Sequence, residues 1–474
     1  MAGLIKIAVS GGGKNNKAPT IKNFRQEGKI ETTCFDIKYI AEDFENTILR
    51  HYIYVDAQKK EITKNVGYES VNNEFTYRVN NLSMGTTYNI QLEVTDGIDT
   101  VRSDILSIKT TSYPTFGIKV MENNSNPKTC CTHIENSIDI IPANSTSLGG
   151  WKDKFPFNKI RMVGFKSGKV TKEINPTNKT KYIDGSSVET DVDVMVEIPR
   201  VYWDFKSIEN GYELRISEIK FNDNCDCYAH KVNGIEKDFI YIGAYLGCIE
   251  NGKLRSKSGS SPITGQTINW FRGIAQANGS GYQQFNWFSL VLLQILYLIA
   301  YKSLDSQTAL GYGFANSNSI AINSGGTDTK GFVFGETSGK QQMCFLGIED
   351  FWGNLYQWVD GMKTDNQFNV LVVQDNKSFN DAGNGYKNLG KFVSGNGSGY
   401  IANTSHTNES VFFPKIIDGS ETTHYCDYSD LSANCITIFG GNWNSSAKSG
   451  AFCLSVLYGA FGSDSKIGSR LCYL

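Results

Sequence analysis

Apolar residues in this chain of 474 residues rarely run on. Only residues 285–301 form a long apolar stretch, and elsewhere apolar side chains come in short runs broken by Asn, Gly and Ser. Such punctuation leaves few places for an amphipathic helix of ordinary length and many for short strands joined by turns, so a β-rich architecture is expected. The 47 Gly, 24 Tyr and 27 Phe agree with that reading. The stretch 285–301 is interrupted by Asn286, Ser289 and Gln294 and is shorter than the roughly 20 residues of a membrane span. It is expected to be a helix buried on all sides.

The length suits two to four domains. With 46 Lys+Arg against 48 Asp+Glu, no broad basic footprint for nucleic acid is expected. No basic amphipathic helix points to membrane insertion. The first nine residues lack the pattern of a secretory signal, so synthesis is expected to end in a cytoplasm. Eleven cysteines, an odd number without an export signal, favour free buried thiols. Cys225-Asp226-Cys227 with His230 could supply three metal ligands, but no second Cys or His cluster has a matching spacing, so no metal and no cofactor are expected. Ser10-Gly11-Gly12-Gly13-Lys14 fails as a phosphate loop, with Ala8 in place of the first Gly and Asn15 in place of Ser or Thr. Residues 1–17 read as a flexible leader.

From 18 to 112 the pattern is that of half-buried strands. Phe35, Ile37 and Tyr39 alternate with Asp36 and Lys38, and Leu49, His51, Ile53 and Val55 alternate with Arg50, Tyr52 and Tyr54. Leu82-Ser83-Met84-Gly85-Thr86-Thr87-Tyr88, followed by Ile90, Leu92 and Val94, resembles the tyrosine corner of fibronectin type III sandwiches, with Met84 where Pro is usual. The resemblance implies a spacer module. Residues 113–150, Asn- and Ser-rich with the Cys130-Cys131 pair, read as a connecting arm or as the first strands of the next domain, which is set at 151–474.

The C-terminal half carries a second resemblance. Glu349-Asp350-Phe351-Trp352 leads into Gly353-Asn354-Leu355-Tyr356-Gln357-Trp358, and Gly440-Gly441-Asn442-Trp443-Asn444 is closed by Gly468-Ser469-Arg470. This spacing resembles the C-type-lectin-like α+β fold shared by formylglycine-generating enzymes and by the variable, tropism-determining proteins of phages with diversity-generating retroelements. Residues 193–203, 241–245 and 276–284 are similar to phage tail proteins with the same C-terminus, so the likeness spans roughly 114–474. It implies a virion protein made in a bacterial host cytoplasm, most simply the tip of a tail fibre. Such a protein would bind a host-surface protein or glycan without covalent chemistry, sit among other tail or baseplate proteins, and form a homotrimer. A capsid-decorating protein on the same scaffold is the alternative.

Within the expected recognition segment, 440–474, Gly440 and Gly441 suit a tight turn. Trp352, Trp358, Trp443 and Arg470 are expected to be structural. Residues 454–465 lack the alternation of a core strand. There Tyr458 and Phe461, set among Ser and Gly, have the composition of an adaptable paratope, in which aromatic anchors carry most of the energy. The expected contact residues are Asn444, Ser445, Ser446, Ser455, Leu457, Tyr458, Gly459, Phe461, Gly462, Asp464 and Lys466. Residues 454–465 are all types reachable from an Asn-type codon by substituting adenines, whereas Lys448 and Lys466 do not fit that scheme.

The enzymatic branch of the family implies a reactive cysteine pair soon after the Gly-Gly turn. No Cys lies between Asn442 and Gly450, and Cys453 and Cys472 come too late. The five His (51, 133, 230, 406 and 424) are scattered rather than grouped as for iron. Ser445 stands where a calcium-dependent lectin needs an acidic partner. Catalysis is not expected.

Overall fold

The computed structural model describes residues 16–31, 33–45, 49–63, 68–71, 74–111, 113–317, 320–392 and 395–474. The chain divides into two compact units between Tyr113 and Pro114. Most of the expected leader lies outside the described residues. Its end is tied down: Asn16 donates to Asp96 and Asp99 at 2.9 and 3.0 Å, and the Lys17 ammonium sits over the Phe44 ring.

The first unit is built from two antiparallel sheets. One runs Thr20–Glu27, Phe35–Glu42, Glu74–Val79, Tyr68–Val71. The other runs Gln58–Glu61, Arg50–Val55, Thr87–Thr95, Thr100–Arg102, with Leu106–Lys109 also on Thr87–Thr95. Because side chains alternate across a strand, Phe35, Ile37 and Tyr39 of one sheet meet Ile53, Ile90, Leu92 and Val94 of the other in a single core. The Tyr88 hydroxyl accepts a hydrogen bond from the Ser83 N–H at 2.7 Å. The corner therefore closes as its sequence implies, without a proline at 84.

The second unit holds three larger sheets. Cys131–Glu135, Phe116–Met121, Gly211–Ser217 and Tyr202–Ile208 form an antiparallel four-stranded sheet. Phe116–Met121 is one of its inner strands, paired on both sides, and Phe116, Ile118 and Val120 lie in the core. Of the two readings of 113–150, the connecting arm is corrected and the other holds: from Pro114 this segment supplies the first strands of the second unit. Phe116, Ile118 and Val120 alternate along one face of the strand, and it is packing of that face in the core that buries them.

A six-stranded sheet runs Lys169–Glu173, Arg161–Lys166, Asp193–Pro199, Phe239–Gly243, Leu471–Tyr473, Tyr282–Gln284. An eight-stranded sheet follows the path Lys387–Lys391, Asn369–Val372, Tyr356–Thr364, Ile436–Phe439, Leu454–Tyr458, Tyr428–Leu431, Gly397–Tyr400, with Ile467–Gly468 parallel to Tyr356–Thr364. The helix Trp287–Tyr301 is buried along all 15 residues, as its predominance of apolar side chains on every face requires. Asn286 caps it by accepting from the Ser289 N–H at 3.0 Å. Its one central amide, Gln294, donates to the Ala451 carbonyl at 2.8 Å. Among the described residues no helix is long and apolar enough to cross a membrane. All eleven cysteines are free and buried.

Candidate recognition face

A buried polar frame holds the C-terminal segment. Arg470 is fully enclosed, and its guanidinium donates to the carbonyls of Gly243, Glu349 and Asp350 at 2.7–2.9 Å and to Gln357 Oε1 at 2.9 Å. Burial lowers its pKa to about 10. Burial and the neighbouring Glu349 raise the Asp350 carboxyl to about 8. Gln357 returns the tie, donating to the carbonyls of Asp350 and Phe351. One guanidinium therefore fixes the 349–358 segment against the six-stranded sheet, with Trp352 and Trp358 buried on either side of the turn.

The Gly-Gly turn docks onto this frame. Gly353 N–H donates to Gly440 O, and Trp443 N–H to Asn354 O, both at 3.0 Å. Gly440 has φ +99°, and a Cβ there would lie 3.2 Å from Trp352 Cα. Only a residue without a side chain tolerates both conditions. Trp443 is 7% exposed.

Two short surface segments emerge from the frame. In the first, Asn444, Ser446 and Lys448 are exposed, while Ser445 is half-buried and its Oγ accepts from the Asn442 N–H at 2.9 Å. Residues 449–456 then pass through the interior. The second segment begins at Leu457, 47% exposed, and carries exposed Gly459 and Phe461, the latter 95% exposed. Gly462, Asp464 and Lys466 are half-buried.

Ser455 does not belong with the contact residues. It is buried in the strand Leu454–Tyr458, which is paired on both edges, and its Oγ meets Asp430 Oδ2 at 3.2 Å. Its side chain is enclosed on its face of the sheet, and the same hydroxyl also accepts from the Asp430 N–H at 3.3 Å. Tyr458 is half-buried. Its ring stands edge-on to Trp358 at 6.2 Å and its hydroxyl donates to Asp464 Oδ2 at 3.0 Å; burial and Asp464 push that hydroxyl up to about 12.

The second segment is pinned at several points. Gly462 N–H closes a turn on Gly459 O at 2.9 Å, Gly265 N–H donates to Asp464 O at 3.1 Å, and Tyr356 N–H donates to Lys466 O at 3.0 Å. The Lys466 ammonium lies 6.0 Å from the Trp443 ring, linking the two segments. Beside them, Lys448 covers Tyr428 at 4.1 Å, and Tyr428 meets Tyr400 edge-on at 5.2 Å. Ser398 donates to Asp430 at 2.6 Å on the same strand pair. The sequence reading missed Tyr400, Tyr428, Ser398 and Asp430.

The other candidate groups are dispersed. His230 is buried with Nε2 3.3 Å from the Ile198 carbonyl, and Cys225 Sγ accepts from the Phe221 N–H. Asp226, Cys227 and Glu236 do converge, with ligand atoms within 4.8 Å. Lys231 already pairs with Asp226, and Arg200 with Glu236. Burial pushes the Cys227 thiol up to about 12. Cys453 and Cys472 are both fully enclosed, and burial raises both thiols, Cys472 to about 12.

The chain matches no family model and no curated protein. Among solved structures it is similar to the Major Tropism Determinant U1 Variant, at 13% identity and a TM-score of 0.27 over 87% of this chain and 85% of that one. It is similar also to the I1 Variant, at 12% identity and 0.28 over 86% and 83%, and to titin domains z1z2 solved in complex with telethonin, at 10% identity and 0.18 over 44% and 85%.

Proposed function

We propose that this protein is a phage virion component, at a tail fibre or tail tip, that attaches without covalent chemistry to a ligand on the host cell surface. On this reading the second unit is a C-type-lectin-like domain whose face is built from residues 444–448 and 457–466. The first unit is a fibronectin-type spacer. Other tail or baseplate proteins hold the chain in place as a homotrimer.

The observation that carries the reading is Phe461. Its ring stands 95% exposed on a loop pinned to a buried frame, on the same surface segment as exposed Leu457 and half-buried Tyr458. Rigid aromatic area among Gly and Ser is what a binding surface needs, because little conformational freedom is lost when a partner covers it. Several copies on one particle would multiply a weak contact through effective concentration. Antibodies raised against the chain should label tail tips of intact virions in electron micrographs and block adsorption to the host. Labelling of capsid faces alone would favour a decorating role and refute attachment by this protein.

A further inference from the structure

A separate cleft of about 620 Å³ opens in the second unit between residues 179–194 and residues 248–261. That volume falls within the roughly 300–1,000 Å³ of small-molecule sites. Its lining mixes two kinds of surface. Val188, Val192, Val194 and Ile249 supply apolar area, with Ile249 44% exposed. Thr190, Ser258, Ser260 and Ser261 supply hydroxyls.

Each charged side chain lining the cleft already has a partner within the protein. Lys257 pairs with Glu250 at 3.2 Å and also donates to the Thr190 carbonyl. Lys179, at the back, is wholly buried and donates to Thr327 Oγ1 at 2.9 Å and Cys344 Sγ at 3.1 Å. Glu189 accepts the Tyr182 hydroxyl, and that bond holds its carboxyl below the usual range.

Each ligand class can be weighed against these walls. An anion would meet the carboxylates of Glu189 and Glu250, and a cation the ammonium of Lys257. Ser258 and Ser260 already donate to Asp328 and to the Ser258 carbonyl, but a purely apolar ligand would strip water from the hydroxyls of Thr190 and Ser261. A neutral molecule with both C–H faces and hydroxyl groups satisfies every wall. We propose that this cleft is a second binding site, distinct from the loop face, and that its ligand is a neutral sugar. Glu189, Glu250 and Lys257 would then serve as the charged hydrogen-bond partners of ring hydroxyls, which are stronger than neutral ones.

The proposal stands whether or not the loop face attaches to cells, and its test separates the two. Saturation-transfer NMR on the full chain would use methyl glycosides of glucose, galactose, mannose and N-acetylglucosamine, with sodium sulfate and spermidine as charged competitors. At least one glycoside should receive saturation, and neither ion should displace it. Ser261→Trp, which plugs the mouth from an exposed position, and Lys257→Met, which removes a donor, should each weaken binding about tenfold or more. Phe461→Ala should leave the sugar signal intact. No transfer to any glycoside would overturn the assignment. So would wild-type binding in both cleft variants, displacement by sulfate or spermidine, or loss of the signal in Phe461→Ala.

Discussion

Phe461→Ala separates recognition from folding more cleanly than any other single change on this face. The Phe461 ring is 95% exposed, so its removal should leave folding stability within about 0.5 kcal/mol. An aromatic anchor at the centre of an interface, by contrast, contributes about 2 kcal/mol or more on truncation, which is roughly a thirtyfold weaker dissociation constant. Tyr458→Ala is a poorer probe. It removes an edge-on contact with Trp358 worth about 0.5–1.5 kcal/mol and a hydrogen bond to Asp464 worth about 1 kcal/mol. The Tyr458 variant should therefore melt earlier as well as bind less, and truncating both residues together would confound the two effects. The assay is paired: thermal melting of each purified variant, and adsorption of the same preparations to host cells across a concentration series. Unchanged adsorption by a stable Phe461→Ala protein would refute the placement of the face. A sharp loss of melting temperature in that variant would show that the loop is held by the ring rather than by its backbone ties.

Two further outcomes follow from the buried polar groups. Arg470→Met leaves the carbonyls of Gly243, Glu349 and Asp350 without their donor and should cost about 3–5 kcal/mol, read as a lower denaturant midpoint. Glu122 is almost fully enclosed; burial alone would raise its carboxyl, but His406, Tyr425 and Asn403 hold it below its ordinary 4.5. Its contribution is therefore present above that value and lost as pH falls through the lower folded one, so Glu122→Gln should flatten the loss of stability below about pH 4.5 in acid titrations followed by tryptophan fluorescence.

What the sequence disclosed was local. Period-two alternation located the core strands at 35–42 and 87–95, and the long, mostly apolar run located the buried helix, because each depends only on which side chains must leave water. The tyrosine corner was visible through its resemblance to a known motif, and it too is local, since Tyr88 and Ser83 are five positions apart. The burial of Trp352, Trp358 and Arg470 agrees with the expectation taken from motif spacing. Non-local pairing was not legible. Ser455 looks like a loop residue until Ile436–Phe439 and Tyr428–Leu431 close on both sides of its strand. Phe116–Met121 looks like an arm until Gly211–Ser217 supplies its second edge. Tyr400, Tyr428 and the sugar-sized cleft arise where segments far apart in sequence meet, and no window on the chain contains them.

The place of Leu471–Tyr473 between Phe239–Gly243 and Tyr282–Gln284 sets a timetable for synthesis. A ribosome that has made both flanking strands must still translate everything up to residue 473 before the strand that joins them exists. At about 5–20 residues per second, the gap from Gln284 to Leu471 lasts on the order of ten to forty seconds. Throughout it, two strand edges wait without their shared neighbour. The first unit has no such dependence and can fold as soon as it clears the exit tunnel. Nascent second units, crowded on one messenger, are therefore the natural clients of chaperones that shield strand edges, and slow codons late in the gene would lengthen their exposure.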